Sequence, residues 1–229
     1  MGGCTNCKGK SGCDHRKGAM MESVDRALED LYPSRTWGEA NEPGDHGTIT
    51  DDELSALAEE LAQELKAATF VVHGGDAEPC DYIYVLALGR SPCIAQVREF
   101  DVRIPDEWPT EPGALVDELY LRVVISQRAR VAAVQQVRMT ASRGDDGSWL
   151  VEESPRAGVY DAPLLKRMQK LVAILPAYDL LHVDFGEIAH APPGFHAGAW
   201  RELYGADPSI ANYLFYPQPT TMITTSVIT

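Results

Sequence analysis

Three cysteines lie within ten residues near the start of the chain, in the segment MGGCTNCKGKSGCDHRKG of residues 1–18. Their spacing is Cys4-x2-Cys7-x5-Cys13. Two thiolates separated by two residues can bind the same metal, because the turn between them directs both sulfurs to one side. The glycine-containing loop before Cys13 is long enough to fold back and present a third sulfur. The segment therefore predicts a metal centre bound through three cysteines.

The residues around these cysteines carry a local positive charge. Residues 1–18 contain four basic side chains against the single acid Asp14, a balance of +3, whereas the whole chain has a net charge of −14. Positive charge stabilises thiolates and offsets the negative charge of a thiolate-ligated cluster. A basic segment on an acidic protein also favours directed docking to a partner.

The cysteine pattern resembles a segment of two known redox families. It is similar to the segment that holds the one-His, three-Cys [4Fe-4S] cluster in the large iron–sulfur subunit of respiratory NADH dehydrogenase, and to the accessory domain of iron-only hydrogenases. The resemblance covers about ten residues of this chain. It implies an iron–sulfur cluster and a place in a larger redox complex. The residues that carry it are Cys4, Cys7 and Cys13, with Lys8, Lys10 and Gly12 in the connecting loop.

The fourth ligand departs from this family pattern. In the family, the histidine lies four residues before the first cysteine, a position that would precede Met1 here. The resemblance therefore implies a [4Fe-4S] cluster with a different fourth ligand, or a [3Fe-4S] cluster that needs three sulfurs only. The alternatives for the fourth ligand are His15, Cys80, Cys93 or a residue of a partner protein.

Zinc is the alternative to iron–sulfur. Cys4, Cys7, Cys13 and His15 form a Cys3His set, which suffices for a closed tetrahedral zinc site. All four residues lie within twelve positions of one another, whereas structural zinc sites usually join two separated pairs of ligands. The spacing therefore favours an iron–sulfur cluster over zinc.

A second group of metal-binding residue types lies in residues 181–197. His182 and Asp184 are two positions apart, so on a strand they would lie on the same face. With His190 or His196 they would complete a two-histidine, one-carboxylate iron site. The sequence Ala-Pro-Pro-Gly at 191–194 is typical of an irregular surface loop, however. An ordinary polar loop or interface is the favoured interpretation.

No motif for nucleophilic or nucleotide-dependent catalysis occurs in the sequence. Gly-x-Ser-x-Gly, a Walker loop and a Gly-x-Gly-x-x-Gly after a predicted strand are all missing. The chain is therefore expected to have no catalytic residues of its own.

Composition limits the class of protein. The chain has 229 residues, of which 45% are hydrophobic and 24% charged, as is usual for a folded domain. Its net charge of −14 opposes nucleic-acid binding. An odd number of cysteines, three of the five within ten residues, predicts metal chemistry in a reducing compartment, and hence a cytoplasmic protein. The lack of an apolar leader and of an 18-residue apolar run predicts no membrane span.

Periodicity of apolar residues predicts the elements that must position these candidates. Apolar residues at helical spacing predict a helix from Met20 that ends before Pro33. A second helix opens at Thr50, where Thr50 and Glu53 form a capping box, and runs to about Ala68. A third helix is predicted over Pro163–Ile174. Strands are predicted at Phe70–His73, Asp81–Leu88, Pro92–Glu99, Leu119–Ile125, 129–141, Trp149–Glu153 and Leu180–Phe185.

These elements predict an α+β fold with a mainly antiparallel sheet flanked by helices. The expected organisation is a Cys-rich metal-binding segment at 1–18, an α+β body at 19–204 and an uncharged C-terminal tail at 205–229. The tail has no charged side chain from Pro208 onward. It is predicted to be either an edge strand of the protein's own sheet or a segment that inserts into a partner subunit.

The leading hypothesis is a non-catalytic iron–sulfur subunit, for electron transfer or assembly, of a hydrogenase- or dehydrogenase-type complex. Its partners would be the protein subunits of that complex. The second hypothesis is a zinc-stabilised adaptor or regulator that binds other proteins. The third is a mononuclear metal enzyme that uses His182, Asp184 and His190 or His196.

Overall fold

The computed structural model describes residues 10–40, 49–73, 80–86, 109–126, 129–156, 159, 161–215 and 224–228. Its helices are α1 (Lys10–Leu31), α2 (Asp51–Leu65), α3 (Ala162–Ile174), α4 (Trp200–Tyr204) and α5 (Ile210–Phe215), with a short 3-10 helix at Leu175–Tyr178. Its strands are β1 (Thr69–Val72), β2 (Cys80–Leu86), β3 (Leu115–Ser126), β4 (Val131–Arg143), β5 (Trp149–Arg156), β6 (Leu181–Val183) and β7 (Thr224–Ile228). Within these ranges, no helix is both long enough and apolar enough to cross a membrane.

The seven strands form one sheet in the order β1-β2-β3-β4-β5-β7. Every neighbouring pair along this path is antiparallel. The short strand β6 pairs in parallel with the first residues of β4. The predicted α+β class with a mainly antiparallel sheet is therefore confirmed.

Helices cover both faces of the sheet and create two separate cores. On one face, α2 and α3 pack against apolar residues of β2, β3 and β4. On the other face, α1 and α5 pack against residues of β3, β4 and β5. Alternation along β3 sends Leu121, Val123 and Ile125 to the α2/α3 face, and Tyr120 and Val124 to the α1/α5 face.

Helix α2 confirms the predicted start at Thr50. The Thr50 hydroxyl accepts a hydrogen bond from the Glu53 backbone N–H, and the Glu53 carboxylate accepts one from the Thr50 N–H at 2.8 Å. The helix ends at Leu65, before the predicted Ala68, because Lys66 adopts a left-handed backbone with φ of 49°. Its buried residues are the predicted apolar stripe Leu54, Leu57, Ala58, Leu61 and Leu65.

Helix α1 is longer than its apolar pattern predicts. The predicted part from Met20 to Leu31 is helical, and the helix extends back to Lys10. The residues near its start include glycine and lysine and form no apolar stripe, so the apolar periodicity gives no signal for this extension.

Two short helices near the C-terminus were not predicted. All six residues of α5 are buried, so the helix has no polar face and no 3.6-residue periodicity to reveal it. Helix α5 lies inside the segment predicted as a tail, and it belongs to the α1/α5 core. Farther along, Thr224–Ile228 pairs with β5 as the edge strand β7. The predicted strand Pro92–Glu99 lies outside the described residues.

Candidate functional site

The structure describes part of the predicted cysteine site. Cys13 and His15 lie on helix α1, which begins at Lys10. The predicted loop before Cys13 is therefore helical from Lys10 onward. Cys4 and Cys7 lie outside the described residues. Farther along, α1 is anchored to the sheet through fully buried side chains, Val24 and Leu28.

The other cysteines proposed as a fourth ligand are only partly described. Cys80 is the first residue of β2, and its backbone pairs with Ser126 of β3. Cys93 lies outside the described residues. The fourth ligand stays open among Cys80, Cys93, His15 and a residue of a partner.

The histidine-bearing stretch forms a turn after β6. His182 lies on β6 and is half-buried, and burial lowers the pKa of its imidazole below the ordinary value of 6.5. The nearby charges of Asp184 and Glu187 oppose this shift. One Asp184 carboxylate oxygen accepts a hydrogen bond from the Gly186 N–H at 2.7 Å, which stabilises the turn. Asp184 therefore has a structural role in its own loop.

His190 and His196 contribute their backbones to the packing of neighbouring segments. The His190 carbonyl accepts a hydrogen bond from the Ile210 N–H at 2.9 Å, where α5 begins. The His196 N–H donates to the Arg35 carbonyl at 2.7 Å. Both side chains are exposed. Across the described residues, no three His, Cys, Asp or Glu side chains form a group that could hold a metal ion, and this stretch is included.

A cluster of buried polar residues lies on the α1/α5 face of the sheet, and we call it the buried polar cluster. It consists of Tyr120, Arg122, Gln135 and Glu153, each less than 10% exposed. Arg122 Nε and Nη2 donate to Gln135 Oε1 at 3.0 and 2.8 Å. The Tyr120 hydroxyl donates to Glu153 Oε1 at 2.8 Å, and Arg122 Nη1 lies 3.7 Å from Glu153 Oε2. The cluster joins strands β3, β4 and β5.

Sequence reasoning did not identify this cluster. Strand alternation suggested only that Tyr120 and Arg122 share a face. The signal that could have revealed the burial of Arg122 is the apolar run that surrounds it. After Arg122, residues 123–125 are all apolar, so both faces of β3 are apolar there. A strand in the middle of a covered sheet buries both faces, and a charged residue there needs polar neighbours.

An aromatic cluster beside α5 holds two loops together. The Trp37 ring lies 4.6 Å from Trp200 and 5.1 Å from Tyr213, measured between ring centroids. Phe195 lies 5.3 Å from Tyr213. Gly198 permits this packing, because a Cβ atom there would lie 2.7 Å from the Trp37 carbonyl oxygen. The cluster therefore fixes the loops at 34–40 and 192–199 against α5.

No family model matches the chain, and no curated protein or solved structure matches it either. Two features bear on function. The first is the cysteine segment, which continues into α1. The second is the sheet face covered by α1, where the charged residues Arg122 and Glu153 are buried. His182, Asp184, His190 and His196 do not converge on a common centre.

Proposed function

We propose that this chain is a non-catalytic subunit of a larger redox complex and binds an iron–sulfur cluster through Cys4, Cys7 and Cys13. The observation that carries the proposal is the spacing of the three cysteines directly before and within the first turns of α1. Thiolates at such spacing are the ligands that iron–sulfur clusters require. The cluster would transfer electrons or fix the subunit against its partner.

Helix α1 supports this proposal because it offers a rigid connection. With 22 residues it is about 33 Å long. Its C-terminal half is anchored by Val24, Leu28 and Leu31 in the α1/α5 core. A centre bound at the other end of the helix would therefore keep a defined position relative to the body, which electron transfer between fixed centres needs.

The spacing of the candidate ligands supports iron–sulfur over zinc. Cys4, Cys7, Cys13 and His15 lie within twelve positions of one another, whereas structural zinc sites usually join two separated pairs of ligands. A cluster bound by three cysteines does not need His15. Zinc bound by the three cysteines and another ligand is the alternative, and it would make the chain a protein-binding adaptor.

Anaerobic purification of the full chain tests the proposal. We expect a brown protein with broad absorbance near ~400 nm and stoichiometric iron and sulfide. Cys4→Ser, Cys7→Ser and Cys13→Ser should each remove the absorbance, because each deletes one thiolate ligand. Lys17→Ala serves as the matched control in the same segment and should retain the absorbance, whereas loss of iron in His15→Ala would identify His15 as the fourth ligand. Of Cys80→Ser and Cys93→Ser, the variant that loses iron identifies the fourth ligand.

Two outcomes would contradict the proposal. Stoichiometric zinc without iron, lost in Cys13→Ser, would assign the segment to a zinc-stabilised adaptor. Freely alkylated thiols in native protein that contains neither metal would mean that the segment binds no metal at all.

A further inference from the structure

A groove lies on the protein surface where the C-terminal end of α2 meets α3. Its volume is about 490 Å³, toward the lower end of the range for ligand pockets. The groove combines apolar and cationic side chains. The residues that line it are Leu65, Ala162, Pro163, Lys166, Arg167 and Lys170.

The positive charge of this groove is concentrated on α3. The helix carries three cationic residues and no acidic residue, on a chain with 34 acidic and 20 basic side chains. Lys166 and Lys170 are both exposed and four positions apart, so their like charges lie side by side on the helix. Such a pair destabilises a helix slightly, and no carboxylate of α3 relieves it.

The acidic residues of α2 are partly engaged elsewhere. Glu53 forms an ion pair with Arg130, with 3.0 Å between its carboxylate and the guanidinium. Glu60 accepts a hydrogen bond from the Tyr178 hydroxyl at 2.8 Å. Burial, the larger cause, and this hydrogen bond, the second, raise the pKa of Tyr178 to about 12. Neither of these two carboxylates is among the residues that line the groove, and their partners Arg130 and Tyr178 are not either.

We propose that this groove binds an acidic segment of a partner protein. An apolar side chain of the segment would pack on Leu65, Ala162 and Pro163, and its carboxylates would pair with Lys166 and Lys170. Burial of the apolar side chain supplies affinity, and charge complementarity selects an acidic partner and speeds its association. The inference concerns a surface apart from the cysteine segment and does not depend on a bound cluster.

Fluorescence anisotropy with a labelled twelve-residue peptide of Asp, Glu and Leu tests this inference on the full chain. We expect saturable binding that weakens as salt is raised, because exposed charge pairs are screened. The double variant Lys166→Glu/Lys170→Glu should bind at least about tenfold more weakly, since two attractions become repulsions. The matched control Arg26→Glu/Arg156→Glu changes the net charge equally at exposed positions and should bind like the wild type.

Several results would overturn the inference. Equal loss of binding in both double variants would indicate an effect of net charge alone. Displacement of the peptide by inorganic phosphate at comparable concentration would indicate a small-anion site. A dimer in sedimentation that dissociates in Lys166→Glu/Lys170→Glu would assign the groove to a second copy of this chain. Unchanged iron content in that variant separates this test from the test of the proposed function.

Discussion

The two faces of the sheet are covered by cores of different chemistry. The α2/α3 core is almost entirely aliphatic, with Leu54, Leu57, Leu61, Ile83, Val123 and Ile125 among its buried residues. The α1/α5 core contains large aromatic side chains and borders the buried polar cluster, and its aromatic residues include Tyr32, Tyr120, Trp149, Phe185, Tyr213 and Phe215. The sheet therefore has an aliphatic core on one face. The core on its other face contains aromatic side chains beside buried hydrogen bonds and an ion pair.

The two cores differ in how strongly their contribution to stability depends on the exact positions of side chains. Burial of aliphatic side chains stabilises in proportion to area and depends weakly on orientation. Buried hydrogen bonds and ion pairs require defined positions, and disrupting one leaves polar groups in an apolar environment. The α1/α5 face should therefore be more sensitive to the identity of single residues. It is also the face that anchors the helix carrying Cys13.

The largest expected effect is that of Arg122→Ala in the buried polar cluster. The substitution removes the cation beside the Glu153 carboxylate and the donors to Gln135, while the carboxylate stays buried. We expect the free energy of unfolding in urea to fall by about 3–5 kcal/mol. The exposed pair of Arg138 with Asp117 is the control, and Arg138→Ala should cost less than about 1 kcal/mol.

A double variant sharpens this prediction. Arg122→Leu together with Glu153→Leu removes both charges, so it should destabilise the protein less than Arg122→Ala alone. A loss as large as that of the single variant would mean that shape, and not charge, explains the sensitivity of this face.

A smaller but still large effect is expected from Leu57→Ala in the α2/α3 core. Leu57 is fully buried, and its truncation leaves a cavity between α2 and the sheet. The free energy of unfolding should fall by about 2–5 kcal/mol. Leu203→Ala is the matched control, because Leu203 is 72% exposed and its truncation should leave stability nearly unchanged. Equal effects of the two variants would contradict the placement of this core.

The smallest effect concerns the pH dependence of stability at His182. Burial lowers the pKa of this imidazole, so between its unfolded and folded pKa values the unfolded chain binds more protons. Stability should therefore fall as pH drops below about 6.5, the ordinary value of the group. His182→Gln should lose less stability than the wild type between pH 7 and pH 5 in urea titrations.

His190→Gln provides the control for this pH effect, because the His190 side chain is exposed. Its stability should follow the wild-type curve over the same pH range. Identical curves for wild type and His182→Gln would show that burial of His182 does not influence the folding equilibrium.

The local elements of the body were predictable because each has a local signal. The Thr50–Glu53 capping box identified the start of α2, and apolar spacing identified its buried stripe. The predicted strands at 129–141 and Trp149–Glu153 correspond to β4 and β5, which pair as a hairpin with Arg143 opposite Trp149. These features depend on residues within a few positions of one another.

Long-range arrangement was not predictable in the same way. The polar contacts of Arg122 reach 13 and 31 positions along the chain, to Gln135 and Glu153. Helix α5 forms where its residues are buried by α1 and the sheet, without an amphipathic pattern of its own. The candidate cysteines, in contrast, were identifiable from spacing alone, and whether they share a metal remains a prediction.

The sequence by itself therefore determined the start and the buried stripe of α2, the α+β class and the chemical character of the cysteine segment. These features follow from residue type and short-range spacing. Only the tertiary structure decided which polar residues are buried, that the four candidate residues of the histidine stretch do not converge, and that α3 presents its cations beside α2. The physical reason is that burial and convergence depend on which distant segments pack together, and free energy from packing is not encoded in any single segment.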